Sequence, residues 1–492
     1  MKLYNTLSKK VETFRSLSEL QAQAENEQAN KQVKMYACGP TVYDYTHIGH
    51  LRKYVMDDVL VRTLRHAGYE VRHIQNITDV GHLASDEDEG EDKIEKGARK
   101  YGQTAWEVAR KFEDYFWYSL DQMGVVRPTL SCRATEHIQS QLEMVLDLEK
   151  KGFTYVIPDD GVYFDTSKLK TYGELSGHDP RQATRESRLG EVAGKRNQSD
   201  FALWKFERAG ENRQMVWPSP WHPRSFPGWH IECSAMSIEH LGSELDIHTG
   251  GIDHIAVHHA NEIAQSETHT GQRPFARFWV HHNFLRVDGE KMSKSLGNFY
   301  TIDDILAKGY QPAALRLLFL GSHYRSEQNF TWQSLSASQS AWQKLVGACL
   351  TIKANRIADE KENLAEAKAL EEAFFAAVEN DLDTPQALSI LWKLLKSSLG
   401  NRQKYRLLLE FDQVLGLGLV ALSEADFSQD IEEELTLKDL PKELQNLFAK
   451  REAARSAKDF TLADDLRQEF TRAGYQLLDQ VEGAIIKRLK AR

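Results

Sequence analysis

Residues 33–78 read VKMYACGPTVYDYTHIGHLRKYVMDDVLVRTLRHAGYEVRHIQNIT, and the fold class is decided within them. The opening, VKMYACG, is a short apolar run closed by Gly-Pro, the pattern of a buried strand. From His47 onward apolar residues recur at helical spacing, at Leu51, Val55, Val59, Leu60 and Leu64, until Gly68 ends the run. YEVRHIQNIT (69–78) then returns as a strand. Strand, helix and strand in that order make a βαβ unit, the seed of a doubly wound parallel sheet.

Outward from this unit, helical pattern resumes over Thr104–Met123, and from Ser131 to Met215 the chain becomes more polar and irregular. Within that stretch YVIPDDGVYFDTS (155–167) reads as a hairpin about Asp-Asp-Gly. Strand and helix patterns return afterwards: GWHIE ahead of Cys233 as a strand, ELDIHTGG (244–251) as another, then a helix from about His254. Past Gly321 the chain turns helical near 333–356, 362–380, 385–400 and 403–415. LSEADFSQDIEEELTLKD (422–439) is acidic and without period, a linker candidate, and two more helices with a strand-like end follow Pro441. The expected architecture is α/β: a Rossmann-like doubly wound domain in two halves, 1–130 and 216–285, split by an insertion at 131–215. A loop region at 286–335, a helical bundle at 336–421, a linker at 422–440 and a small C-terminal domain at 441–492 complete it.

Composition narrows the function classes. At 492 residues several domains are expected. Apolar runs such as that around Leu317–Leu320 are far too short to span a membrane, and MKLYNTLSKK shows no export signal. The four cysteines, at 38, 132, 233 and 349, form no CxxC, which points to a reducing compartment and hence the cytoplasm. A net charge of −10 gives no global nucleic-acid footprint, although a local basic face suffices for RNA. The acidic run SDEDEGED (85–92) reads as a solvated loop.

Two motifs carry chemistry. THIGH (46–50) lies after a strand and at a helix start, where free N–H groups and the helix dipole favour an anion. Gly49 permits close approach, and His47 and His50 can donate to phosphate oxygens. KMSKSLGN (291–298) offers Lys291 and Lys294 on a loop suited to delivering charge to a polyphosphate. HIGH with KMSKS is the signature pair of class I aminoacyl-tRNA synthetases. Together with MYACGPTVYDYTHIGHLR, NITDVGH, GWHIECSAM, HHANEIAQSE and SHYRSEQNF, the pair makes nearly the whole chain resemble the cysteinyl-tRNA synthetase family.

The cysteines raise the question of metal. His258 and Glu262 lie at i and i+4, on one face of a helix. With Cys38 and Cys233 they could converge at the carboxyl ends of parallel strands, and two thiolates, an imidazole and a carboxylate suit Zn²⁺. Their dispersed spacing favours buried core cysteines over a metal site, since free cysteine is among the most buried residue types. The resemblance decides for one zinc ion on Cys38, Cys233, His258 and Glu262. His259 stands about 100° round the helix and is left out; Cys132 and Cys349 are assigned to packing.

The resemblance implies further roles. Gly39, Thr41, Thr78 and Trp229 would border the amino acid. Asp253 would hold the adenosine ribose, a role that could coexist with that of a helix N-cap. His47, Gly49, His50, Lys291 and Lys294 would surround ATP, which enters with Mg²⁺. Partners would be L-cysteine, ATP and tRNA(Cys), with the bundle and C-terminal domain binding the tRNA and its anticodon, and the protein acting as a monomer. Serine differs from cysteine only by oxygen for sulfur, which apolar pockets discriminate poorly, so zinc would select the thiol. The insertion is short for an editing domain. Two departures stand out: Ala260 where family members often carry a second acid, and no tryptophan near Ile486. A ligase joining cysteine to an amino-sugar carrier shares this catalytic half but lacks a long C-terminal region. A non-catalytic relic would be free to lose HIGH, KMSKS or the ligands.

Overall fold

The computed structural model describes residues 1–25, 31–80, 92–177, 194–293, 296–356, 362–419, 431–457, 459–473, 475–479 and 484–489. The acidic run from 85 to 91 and Lys294 lie outside the described residues. A five-stranded sheet holds the catalytic core, in the spatial order Ala276–His282, Leu245–Gly251, Gln32–Ala37, Glu70–Ile77, Leu130–Arg133. All four pairings are parallel. The expected unit is present, with the helix Ile48–His66 crossing between Gln32–Ala37 and Glu70–Ile77. The first half of the sheet grows in one direction from Gln32–Ala37 and the second half in the other. The reversal falls beside Leu245–Gly251, and open α/β sheets bind ligands at the carboxyl ends flanking such a point.

Charged residues on the buried side of Ile48–His66 fasten it to later segments. Arg52, buried, donates to the carbonyls of Asn283 (2.6 Å), Ser326 (2.9 Å) and His323 (3.0 Å). Asp57 pairs with His282 at 2.8 Å. Asp58 binds Arg316, which also donates to the carbonyls of Leu415 (2.7 Å) and Met123 (3.1 Å). An unpaired buried charge would cost several kcal/mol, so each is matched.

The expected hairpin is found as Thr154–Ile157 and Gly161–Phe164, extended by Phe201–Phe206 and Ser225–Pro227 into a four-stranded antiparallel sheet. The boundary placed at residue 131 falls inside the last parallel strand, Leu130–Arg133. That strand is only the four residues LSCR, too short to show a period. The helix Ile138–Lys150 contributes Met144, Val145 and Leu148 to a core shared with Ile231, Ala235 and the antiparallel sheet.

The chain divides into two compact units, Met1–Leu345 with Asn355–Gly418, and Val346–Ala354 with Leu419–Arg492. The helices Leu364–Val378, Thr384–Lys396 and Asn401–Leu415 therefore belong with the catalytic core, where Phe374 stacks on Phe411 at 3.8 Å. In the second unit the helices Lys442–Ser456 and Phe460–Arg472 accompany an antiparallel sheet ordered Ile431–Leu435, Ala484–Leu489, Tyr475–Asp479. The stretch expected as linker thus carries a strand in its second half. Ile486 is buried with Leu440, Phe470 and Leu477, so this position serves the core of the unit.

Candidate active site and metal centre

Cys38 prolongs the strand Gln32–Ala37 by one residue, its N–H donating to the carbonyl of Thr249 (3.0 Å). Cys233 lies in the helix Trp229–Leu241, which corrects the strand expected at GWHIE. Residues 230–237 are all buried, so this helix has no polar stripe and shows no amphipathic period. His258 and Glu262 stand one above the other at the start of the helix His258–Thr270. Cys38, Cys233, His258 and Glu262 are at most 4% exposed, and one donor atom from each lies within 4.8 Å of those of the others. His258 Nε2 is 2.9 Å from Glu262 Oε1, and Cys38 Sγ is 3.9 Å from the same oxygen.

His259, set aside on its helical angle, is also here, with Nε2 3.2 Å from Cys38 Sγ. Cys38, His248, His259 and Glu262 form a second, overlapping donor set. The turn of the helix separates the two rings, but Cys38 interacts with both. A histidine shell surrounds the cluster. His258 Nδ1 meets His230 Nδ1 (2.9 Å), Glu262 Oε2 meets His248 Nε2 (2.8 Å), and His259 Nδ1 meets His281 Nε2 (2.7 Å). His248 supports Glu262 where residue 260 is a buried alanine. These shell histidines come from separate segments, with no spacing in the chain to reveal them.

Burial raises the Cys38 thiol, but a hydrogen bond from Cys233 and the charge of His259 outweigh it and hold Cys38 well below the usual thiol range. Cys233, bonded to that sulfur and buried, is pushed well above it. Both sulfurs lie in one cluster of donors, in a place a cation can take. Two sulfurs, an imidazole and a carboxylate in a closed, histidine-supported setting fit Zn²⁺. Cys132 and Cys349 are buried and form no disulfide, and burial drives Cys132 up to about 12.

Beside the cluster, Gly39 N–H donates to Asn76 Oδ1 (2.7 Å), and a Cβ on Gly39 would lie 1.5 Å from the Asn76 carbonyl oxygen. Thr41 and Thr78 form a parallel bridge. The Thr78 hydroxyl donates to Glu232 Oε2 (2.9 Å), and Glu232 is fully buried with its carboxyl pushed well above the usual range by that burial. Glu232 was not legible as a site residue, since an acid in a helix reads as a surface group. Trp229 stacks on His258 at 4.3 Å and meets His254 edge-on at 5.8 Å, closing the imidazole side of the cluster.

HIGH and KMSKS adjoin. His47 caps the helix Ile48–His66, its Nδ1 accepting from the N–H groups of Gly49 (3.1 Å) and His50 (3.3 Å). An accepting Nδ1 puts the ring proton on Nε2. Burial and the charge of His50 hold His47 well below the usual imidazole range. The His50 ring stacks on it at 3.6 Å. Ile48 N–H donates to the carbonyl of Tyr300 (2.9 Å), Phe299 packs edge-on to His47 (4.9 Å), and a Cβ on Gly49 would meet the Met292 methyl at 2.3 Å. Lys291 is exposed on the strand Glu290–Lys291. Asn298 holds the loop, donating to the Lys291 carbonyl (3.2 Å) and accepting from Ser293 N–H (2.8 Å). Asp253 is exposed on the turn Ile252–His254, its carboxylate folded over Gly251 and acting on His50. It caps no helix: the residue preceding His258–Thr270 is Val257.

A split doubly wound sheet with HIGH at a helix start and the KMSKS segment beside it defines a class I aminoacyl-tRNA synthetase. The family described as tRNA synthetases class I (C) catalytic domain matches residues 24–340, and the cysteinyl-tRNA ligase anticodon binding domain matches residues 437–482. The chain is 44% identical to cysteine–tRNA ligase 1 of Burkholderia lata, over 92% of each chain. It is 40% identical to the cysteine–tRNA ligase of Zymomonas mobilis, over 97% of this chain and 95% of that one. A solved structure of Mycobacterium tuberculosis methionyl-tRNA synthetase in complex with methionyl-adenylate shares the fold, with a TM-score of 0.55 at 16% identity over 79% of this chain and 91% of that one. The chain belongs to the cysteine–tRNA ligase family, ATP-dependent ligases of class I. Among the described residues no helix is long and apolar enough to cross a membrane.

Proposed function

We propose that the chain couples L-cysteine to tRNA(Cys) in two steps. The cysteine carboxylate attacks the α-phosphate of ATP, the bond to the β-phosphate breaks, and cysteinyl-adenylate and pyrophosphate result. The 2′-hydroxyl of the terminal tRNA ribose then attacks the adenylate carbonyl and AMP leaves. Cys38, Cys233, His258 and Glu262 would hold Zn²⁺, which when bound prefers and ionises sulfur and so separates cysteine from serine. Gly39, Thr41, Thr78 and Trp229 shape the amino-acid pocket, Thr78 through its bond to Glu232. On this reading His47 offers Nε2–H to the phosphates, Gly49 lets ATP approach, His50, Lys291 and Lys294 add contacts to it, and Asp253 holds the ribose. Alignment and charge stabilisation carry the chemistry, and no covalent enzyme intermediate is formed.

The observation that supports this most is the loop CGPTVYDYTHIGH, which has a buried four-donor cluster at Cys38 and the helix-capping His47 nine residues on. It spans the distance between a thiol-binding end and a phosphate-binding end. On this reading the working unit is a cytoplasmic monomer using ATP as its magnesium complex, and sedimentation at working concentration checks the monomer. The test of the chemistry is ATP–pyrophosphate exchange without tRNA in zinc-replete protein. Cysteine should drive exchange and serine should not; no exchange with cysteine overturns the reading.

A further inference from the structure

A second group of metal-type donors lies apart from the one above. His137 directly precedes the helix Ile138–Lys150, while Glu239 and His240 occupy the last turn of Trp229–Leu241. His137 Nε2 is 2.8 Å from His240 Nε2 and 3.8 Å from Glu239 Oε1. Only one of the two facing nitrogens can carry the proton between them. The Arg133 carbonyl determines which, because a carbonyl only accepts: His137 Nδ1–H donates to it at 2.7 Å. The neutral His137 ring therefore keeps its lone pair on Nε2, aimed into the cluster. A backbone carbonyl on the far ring nitrogen is the support that metal-binding histidines regularly have. The Glu239 side chain is 44% exposed, which leaves one side of the cluster open to water.

We propose that His137, His240 and Glu239 form a second metal site, for a borderline divalent cation such as Zn²⁺, with water completing the coordination. When the ion binds, the His240 proton shifts from Nε2 to Nδ1, and the ion takes one lone pair from each ring. The site has no sulfur and is open to solvent, so it binds more weakly and exchanges faster than the Cys38 cluster. An ion here ties the segment after the last parallel strand to the end of the helix that begins at Trp229 and carries Cys233. Its role is that of a clamp and not of a catalytic centre.

The test uses the full chain, freed of loosely held metal and titrated with Zn²⁺ alone, with bound ions counted by elemental analysis and calorimetry. Wild type should bind one more ion than His240→Ala, and Glu239→Gln should weaken that ion by about tenfold, or ~1.4 kcal/mol. The comparison counts a difference of one ion, so it stands whether or not the Cys38 cluster is filled. Titration with Co²⁺ separates the two sites, since only the Cys38 cluster can give thiolate-to-cobalt absorption. His240→Gln, which keeps a polar contact to His137 without an imidazole, replaces His240→Ala should that variant fail to fold. Equal metal uptake by wild type and the folded variant overturns the proposal.

Discussion

At Gly39 a single methyl group would sit 1.5 Å from the carbonyl oxygen of Asn76, in the strand Glu70–Ile77, and backbone cannot yield as a flexible side chain can. Gly39→Ala should therefore lower stability by about 1–3 kcal/mol and slow cysteine activation, measured by thermal unfolding and pyrophosphate exchange. Gly49→Ala would instead press on the mobile end of Met292 and should cost less stability in the same melt. Cys233→Ser exchanges one soft donor for a hard one. Zinc content should fall together with the preference for cysteine over serine in exchange; a variant that keeps both removes Cys233 from the ligand set. At this scale Cys38, Cys233, His258 and Glu262 could be singled out by type, and i,i+4 spacing paired two of them. Glu232 and the histidine shell could not, because a buried acid and scattered imidazoles look in the chain like surface groups.

The helix Ile48–His66 shows how one element serves two ends. His47 satisfies the first N–H groups of the helix through Nδ1 and keeps Nε2–H as a donor, so the two roles should separate by substitution. His47→Ala should lose about 1 kcal/mol of cap stability and most of the activation rate. His47→Asn keeps a capping acceptor, so it should unfold near wild type yet remain slow in exchange. Equal rates for His47→Asn and wild type would take the ring out of phosphate binding. This helix was legible because Leu51, Val55, Val59 and Leu64 recur at helical spacing between a histidine start and a glycine stop, although residues 54–61 are all buried. Trp229–Leu241 was not: polar His230, Glu232, Ser234 and Ser237 interrupt its apolar residues and are buried with them.

At the level of the whole molecule, the division into compact units decides what can be removed. The helices from Leu364 to Leu415 are tied to the core through Arg316 and the carbonyl of Leu415, whereas the anticodon-binding match begins at residue 437. A chain ending at Gly418 should keep cysteine-dependent exchange while its kcat/KM for tRNA charging falls by about two orders of magnitude, or ~3 kcal/mol of lost binding. Circular dichroism confirms that the shortened chain is folded. Charging at the full rate would mean that residues beyond 418 contribute little to tRNA binding.

By itself the sequence determined the fold class, the first βαβ unit and the adjacency of a nucleotide loop to a lone cysteine. Each of these depends on residues close together in the chain, where period and motif are read directly. Only the tertiary structure decided that Cys38 meets Cys233, His258, His259 and Glu262. Parallel pairing places the ends of Gln32–Ala37 and Leu245–Gly251 side by side. The strand order in turn reverses where the first half of the chain meets the second. Nothing local in the sequence encodes that meeting; it follows from burying both faces of one sheet.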